Sequence, residues 1–251
     1  MSQPPIRIGT AGWSIASRHA GAFVAQGTHL QRYARRLCCV EINSSFHRPH
    51  RRETYERWAA STPAGFRFSV KLPKAITHEA RFRDCDPLLE RFLSEIAGLG
   101  DRLGAILVQT PPSLPFDAGA ERFLAAIAGR SPAPLAIEPR HAGWYAPEAT
   151  ALMAQLDIAR VAADPSRIPG DDEPVGRRLA YFRFHGSPRI YFSDYDQDRL
   201  ARIADVLLAA RREGKAVWCI FDNTAASHAL RNALDVDALL GRRSALPLGS
   251  R

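Results

Sequence analysis

The sequence predicts an α/β protein: a TIM-like (β/α)8 barrel with an irregular or missing sixth outer helix. Three observations point there. The chain has 251 residues, a common length for a single α/β barrel. Eight short apolar runs recur along it, each ending in a polar or charged residue. Helical patterns fill the intervals, and strand–helix alternation of this kind implies a parallel sheet with helices outside.

The runs are residues 7–10, 39–43, 66–71, 105–109, 135–138, 160–164, 181–185 and 217–222. Apolar stretches of this length, bounded by turn signals, read as buried strands. Between them, helices are predicted at 30–37, 53–60, 86–99, 118–128, 147–156, 196–212 and 225–240. The helix at 86–99 places Leu88, Leu89, Phe92, Leu93 and Ile96 on one stripe and opens on Asp86-Pro87. Gly100 and Gly214 stand where helix ends favour glycine. Between Asp164 and Leu179, three prolines and two glycines argue against a helix. With no linker and no internal repeat, residues 1–251 read as a single domain.

Hydrophobic residues make up 46% of the chain, enough for a large core and too many for disorder. No apolar stretch approaches the roughly 20 residues that span a bilayer. The N-terminus carries no basic segment followed by an apolar region. A cytoplasmic protein without membrane contact is expected. The cysteines, Cys38, Cys39, Cys85 and Cys219, form no CxxC pair and no zinc spacing, so reduced thiols are expected. The net charge of +8 suits an anionic partner, either a small molecule or nucleic acid. Arginine supplies 31 of the 34 basic residues, a bias that genomic composition also produces.

Strand side chains alternate faces with period 2. Glu41 and Asn43 therefore share a face, as do Glu138 and Arg140, and Arg183 and His185. Charges at barrel strand ends are most comfortable inside, near the C-terminal rim, where such folds keep their chemistry. The expected ring is Glu41, Asn43, Lys71, Gln109, Glu138, Arg140, Asp164, Arg183, His185, Asp222 and Asn223. Trp13, in the turn Gly9–Trp13, is a candidate stacking platform. His78 and His141 lie in rim loops. The lower end of the strands shows no comparable polar set.

Four acids and three firm bases nearly balance in this ring. That balance also suits a scaffold of ion pairs, but desolvating so many charges costs several kcal/mol per ion unless they pair well. Lys71, Arg140 and Arg183 are read as anion-holding groups, since the Arg fork matches phosphate and carboxylate. Arg48, Arg51, Arg52, Arg81 and Arg83 lie in loops expected on the same rim. A divalent metal held by Glu41, Glu138, Asp164, His185 and Asp222 is opposed by the neighbouring cations and is not favoured. No spacing selects a glycosidase carboxylate pair. No P-loop, GxGxxG or nucleophile elbow occurs.

The motifs Ile8–Trp13, Val40–Phe46, Phe66–Lys71 with Ile76–His78, Gln109–Ser113, Glu138–His141, Tyr181–Gly186 and Phe221–Thr224 resemble those of the YecE-like family, a domain of unknown function. They cover nearly the whole chain in order. The resemblance implies a TIM-like barrel with its site at the strand C-termini, and no established reaction. His47 stands where that family usually has Tyr, and Asp222 where Asn is frequent.

The sequence thus leads to an enzyme, of hydrolase or isomerase type, acting on a phosphate-bearing or otherwise anionic substrate. Glu41 or Glu138 would act as general base or acid, oriented by Asn43 and His185, with Asp222 beside them. Trp13, His78, Gln109, His141, Asp164 and Asn223 would complete the substrate pocket. The alternatives are a non-catalytic nucleic-acid-binding barrel and a metal-dependent hydrolase or phosphodiesterase.

Overall fold

Parallel strands covered on both faces read as near-continuous apolar runs, and the strands here follow that rule. The computed structural model describes residues 3–166, 168 and 174–245. Its strands are β1 (Ile6–Thr10), β2 (Cys39–Ile42), β3 (Arg67–Lys71), β4 (Leu103–Gln109), β5 (Leu135–Glu138), β6 (Ala159–Arg160), β7 (Ala162–Asp164), β8 (Leu179–Phe184) and β9 (Ala216–Phe221). They form two wholly parallel sheets, one of five strands ordered β2-β3-β4-β5-β6 and one of four ordered β1-β9-β8-β7.

The expected continuous eight-stranded ladder is therefore divided. The predicted strand 160–164 is broken at Val161 into β6 and β7, which pair in different sheets. At the other junction, β1 and β2 meet through a bridge from Ala11 to Glu41, with Gly12 N donating to Glu41 O at 2.9 Å. The backbones come very close there: a Cβ on Gly9 would lie 2.2 Å from the Cys39 carbonyl oxygen.

The helices are α1 (His29–Ala34), α2 (Ser44–His47), α3 (Arg52–Ala60), α4 (Asp86–Ile96), α5 (Ala118–Arg130), α6 (Pro147–Gln155), α7 (Gln197–Arg212) and α8 (His228–Ala245). Their starts carry local signals. Thr28 and Gln31 form a capping box on α1, and the Asp117 and Asp196 side chains cap α5 and α7. Pro occupies the first turn of α4 and α6. Gly214 follows α7 with φ +83°, a backbone state glycine adopts without strain.

Several elements depart from the sequence expectation. The helix predicted at 86–99 ends at Ile96 and continues as a 3-10 segment, Ala97–Arg102. The single turn α2, the π-helical turn Ala75–Glu79 and the 3-10 turns Ser17–Ala22 and Ala142–Tyr145 are too short for periodicity to reveal. In the sixth interval, Val175 bridges Arg160 in antiparallel sense. The expected lack of a helix there falls largely on residues 167 and 169–173, outside the described residues. Among the described residues, no helix is long and apolar enough to cross a membrane.

Apolar side chains form two layers. The larger packs strand outer faces, such as Val40, Ile42, Phe68, Val70, Ile106 and Phe182, against the helices. The smaller fills the inner faces: Cys39, Ala105, Leu107, Ala136, Ala159, Val161, Leu179, Tyr181, Trp218 and Ile220. Inner and outer sets alternate along each strand as period 2 demands. The polar groups lie one step further along the same inner rows, at the strand C-termini.

Candidate functional site

The register aligns Glu41 with Ser69, Gln109 with Glu138, and Arg183 with Ile220. Every second residue faces inward, so Glu41, Ser69, Lys71, Gln109, Glu138, Tyr181, Arg183, His185 and Asp222 converge above the apolar plug. Arg183 is their centre, at 0% exposure. Its Nε and Nη2 donate to Glu41 Oε2 and Oε1 at 3.1 and 2.8 Å. Nη2 also donates to Asp222 Oδ2 at 3.0 Å, and Nη1 donates to Glu138 Oε2. The other close group at Nη1 is His185 Nε2, at 3.5 Å. Three carboxylates thus close on one guanidinium, and this planar fork can satisfy several acceptors at once.

Below it, the Tyr181 hydroxyl lies 2.9 Å from Glu41 Oε2 and 2.8 Å from Ser69 Oγ. Beside it, His185 spans two acids, with Nδ1 3.0 Å from Asp222 Oδ2 and Nε2 3.2 Å from Glu138 Oε1. A ring with a carboxylate at each nitrogen is best satisfied as imidazolium, donating from both. Burial pulls the His185 pKa down, but Glu138 and Asp222 more than offset this and hold it above the ordinary value. Burial alone would raise Glu138 and Asp222. Arg183 and His185 outweigh it and hold both carboxyls below the usual range.

Glu138 Oε1 also accepts from Gln109 Nε2 at 2.9 Å and from Arg140 Nε and Nη2 at 3.3 and 3.2 Å. Arg140 is anchored through its backbone N–H to Thr110 Oγ1 at 3.3 Å.

Lys71 differs from its neighbours. It is 6% exposed, and its Nζ sits 4.0 Å over the Phe46 ring, a cation–π contact. Among the described residues, its Nζ is in no ion pair. Burial first, then the Arg183 charge, lowers its pKa to about 8. His78 packs edge-on against the same Phe46 ring at 5.0 Å and pairs with Thr77 Oγ1 at 2.7 Å. Burial, Lys71 and Arg140 lower the His78 pKa.

The structure therefore brings together Glu41, Lys71, Gln109, Glu138, Arg140, Arg183, His185 and Asp222, with His78 at the edge. Asn43 lies between β2 and α2, and its Oδ1 is buried without a hydrogen-bond partner. Four expected members have other surroundings. Asp164 packs on the outer side, where its carboxylate pairs with Arg199 of α7 at 2.9 Å. The alternation rule gives the reason: Val161 faces inward, so Asp164, three residues on, faces out. His141 Nδ1 accepts from Gly143 N at 3.0 Å and caps a 3-10 turn. Asn223 Nδ2 donates to Ser193 O and Asn232 Oδ1 at 2.9 and 2.8 Å. Trp13 packs edge-on against Trp58 at 5.0 Å, in an aromatic group with Tyr55 and His50.

Two expected roles also change. The Arg183 donors are taken up inside the protein, which makes it the organiser of the carboxylates and not an anion-holding group. Glu41 lies at 0% exposure beneath it, out of reach of a substrate. Of the basic loop residues, Arg52 pairs with Glu56, Arg83 with Asp117, and Arg81 donates to Ser113. Tyr181, Ser69 and Phe46 were not expected members. The face rule already placed Tyr181 and Ser69 on the inner rows, whereas nothing in the sequence marks Phe46 as the floor under Lys71. Among the described residues, no group of three or more His, Cys, Asp or Glu side chains is arranged to hold a metal ion.

Solved structures and protein sequences similar to this chain place it in a family. A DUF72 family protein from Enterococcus faecalis superposes with a TM-score of 0.79 at 25% identity, covering 94% of this chain and 96% of its own. One from Thermotoga maritima gives 0.78 at 25% identity, covering 94% and 99%. UPF0759 protein YunF of Bacillus subtilis is 24% identical over 270 residues, 94% of each protein. UPF0759 protein YecE of Escherichia coli (strain K12) is 38% identical over 84 residues, 34% of this chain and 31% of that protein, so the match spans about a third of that relative. The family described as Protein of unknown function DUF72 matches residues 7–250. The chain belongs to the DUF72 family.

Proposed function

We propose that this protein is an enzyme that binds a small anionic substrate, of the phosphate-bearing class, at the C-terminal ends of the strands and transfers protons there. One observation carries the reading: among the described residues, Lys71 holds a buried amine in no ion pair, beside acids that are paired with Arg183. An unpaired buried ammonium is costly, and an entering anion offsets that cost. Arg140, at the open edge of Glu138, supplies a planar second contact. An amine titrating near 8 exchanges protons readily at neutral pH, which suits general acid–base work. Glu138, His185 and Asp222 form the fixed charged wall facing it, Glu41 and Arg183 position that wall, and Asn43 Oδ1 offers an acceptor to a substrate hydroxyl.

The same reading takes the two sheets as halves of one barrel-like domain. It is supported by the Ala11–Glu41 bridge and by Val161, the residue between β6 and β7, whose N–H donates to Ile137 O of β5 at 2.8 Å.

Calorimetric titration with inorganic phosphate at pH 7 and pH 9.5 tests the binding. Affinity is expected to drop about tenfold or more across that range, and Lys71→Met is expected to flatten the dependence. Equal affinities at both pH values in the wild-type protein would sink the reading. A panel of sugar phosphates and phosphomonoesters tests the chemistry. Phosphate binding without turnover of any member would leave a binding protein instead.

A further inference from the structure

The opposite end of the sheets, where the sequence shows no polar set comparable to the rim, carries two arginines. The first residues of the strands line a cleft of about 610 Å³. Leu103, Pro134, Leu135 and Leu156 form apolar walls, and Trp218 lies at its base. Arg7, from β1, and Arg67, from β3, enter it. The Arg7 guanidinium lies 5.9 Å from the Trp218 ring centre, and its Nη1 donates to Gly65 O at 3.3 Å. Arg67 Nη1 donates to Ala64 O and Phe66 O at 2.8 and 2.9 Å. These backbone contacts hold both guanidiniums in place, and among the described residues neither has an ion pair.

A third arginine strengthens the local charge. Arg102 has a buried Nε with no hydrogen-bond partner. Burial first, then Arg7 and Arg102, push the Arg67 pKa down, so these cations repel one another. Arg178 on the far wall is already neutralised by Asp157. Gly104 permits the close packing: a Cβ there would lie 2.6 Å from the Trp218 ring and 3.0 Å from Arg67 Cβ. Asp101 offsets part of this repulsion at Arg67, but it forms no ion pair with Arg7 or Arg67 among the described residues, and like charges gathered on an apolar cleft favour an entering anion.

We propose that this cleft is a second ligand site, separate from the strand C-termini. It takes an organic anion whose phosphate or carboxylate is held by Arg7 and Arg67, and whose apolar body rests on Leu103, Pro134 and Leu135. Both arginines present N–H groups beyond those used on the backbone, the donor pattern that a planar or tetrahedral oxyanion needs.

Calorimetry with phenyl phosphate, benzoate and neutral benzyl alcohol tests it, in the Lys71→Met protein so that the other end is silenced. One phenyl phosphate is expected to bind per chain. Arg67→Gln or Arg7→Gln, added to that background, should weaken it at least tenfold, and benzyl alcohol should bind at least tenfold more weakly. Benzoate binding as tightly as phenyl phosphate would assign the site to carboxylates, and weaker binding to phosphates. Arg67→Lys, which keeps the charge but loses the planar fork, should bind more tightly than Arg67→Gln and less tightly than the parent, and guards against a folding defect in Arg67→Gln. If both glutamine variants stay within twofold of their parent, or if Lys71→Met alone abolishes all binding, the second site does not exist. The reading of the strand C-termini stands or falls separately, on its pH-dependent phosphate binding.

Discussion

Replacing Arg183 by methionine removes the one group that touches all three buried carboxylates while keeping much of its volume. The partners that remain set the cost. Glu138 keeps Arg140, His185 and Gln109. Asp222 keeps His185. Among the described residues Glu41 keeps one hydrogen bond, from the neutral Tyr181 hydroxyl, at 0% exposure, with the Lys71 charge nearby but not in an ion pair. One carboxylate is therefore stranded, and breaking a buried pair in this way costs about 3–5 kcal/mol. For a protein of this size each kcal/mol moves the melting temperature by about 2–4 °C, so Arg183→Met should melt about 6–20 °C lower at pH 7.

The pH dependence has a defined sign. In the wild-type protein Glu138 and Asp222 titrate below their ordinary values. The stability they contribute is present above the ordinary carboxylate range and lost as pH falls through the depressed folded values. In the variant, a proton taken up by the cluster relieves the stranded charge. Its deficit relative to wild type should shrink by up to about 1.4 kcal/mol per pH unit for each proton between pH 7 and 5. Urea denaturation followed by circular dichroism at both pH values reads this directly. A loss below about 1 kcal/mol at pH 7, or a deficit that grows on acidification, would refute the view of Arg183 as organiser.

Three further outcomes are expected. Lys71→Met should be more stable than wild type by about 2–3 kcal/mol at pH 7, because the folded amine titrates near 8 against about 10.4 when free; chemical denaturation should show the gain fading as pH rises through that window. His185→Gln should cost about 1.5–3 kcal/mol at pH 6. Since the folded imidazole pKa is raised, that contribution is complete below the free value and lost as pH rises through the folded one, so melting curves of the two proteins should converge at high pH. Cys38, exposed and lowered to about 7 chiefly by its hydrogen bond from the Cys39 thiol, should be alkylated by iodoacetamide with a midpoint near that pH. Mass spectrometry should find the native Cys39, Cys85 and Cys219 unmodified, because burial raises all three.

Most of the charged cluster was legible from period-2 alternation and from the habit of charges to end strands. Both rules operate locally, so Glu41, Lys71, Gln109, Glu138, Arg183, His185 and Asp222 could be assigned to one face without knowing which touched which. Asp164 was misplaced because a charge at a strand end suggested the inner rim, whereas alternation runs unbroken from Ala159 and Val161 on the inner face to Ala162 on the outer one and carries Asp164 outward. The division of labour was hidden for a different reason. Whether an arginine binds a substrate or other side chains depends on distances across the fold, between residues about 140 positions apart for Tyr181, Arg183 and Glu41. The face rule puts Arg67 on one row with Ser69 and Lys71, but its meeting with Arg7 was hidden, because Gly65, Ala64 and Phe66 hold the two arginines through backbone carbonyls that have no sequence signature.

Trp218 gives the cluster a boundary. Its ring stacks on Tyr181 at 5.9 Å, nearly parallel at 5°. One face of the indole thus borders the cleft at the strand N-termini, while the phenol on the other side reaches Glu41. This aromatic pair is part of the apolar plug that lies between the cleft and the buried charges. Those charges attract strongly because the medium around them is poorly polarisable. A smaller residue at 218 would admit water from beneath and raise the local dielectric constant. Contacts that are unchanged in geometry would then weaken, so the strength of the network depends on a side chain that carries no charge and touches none of its ions.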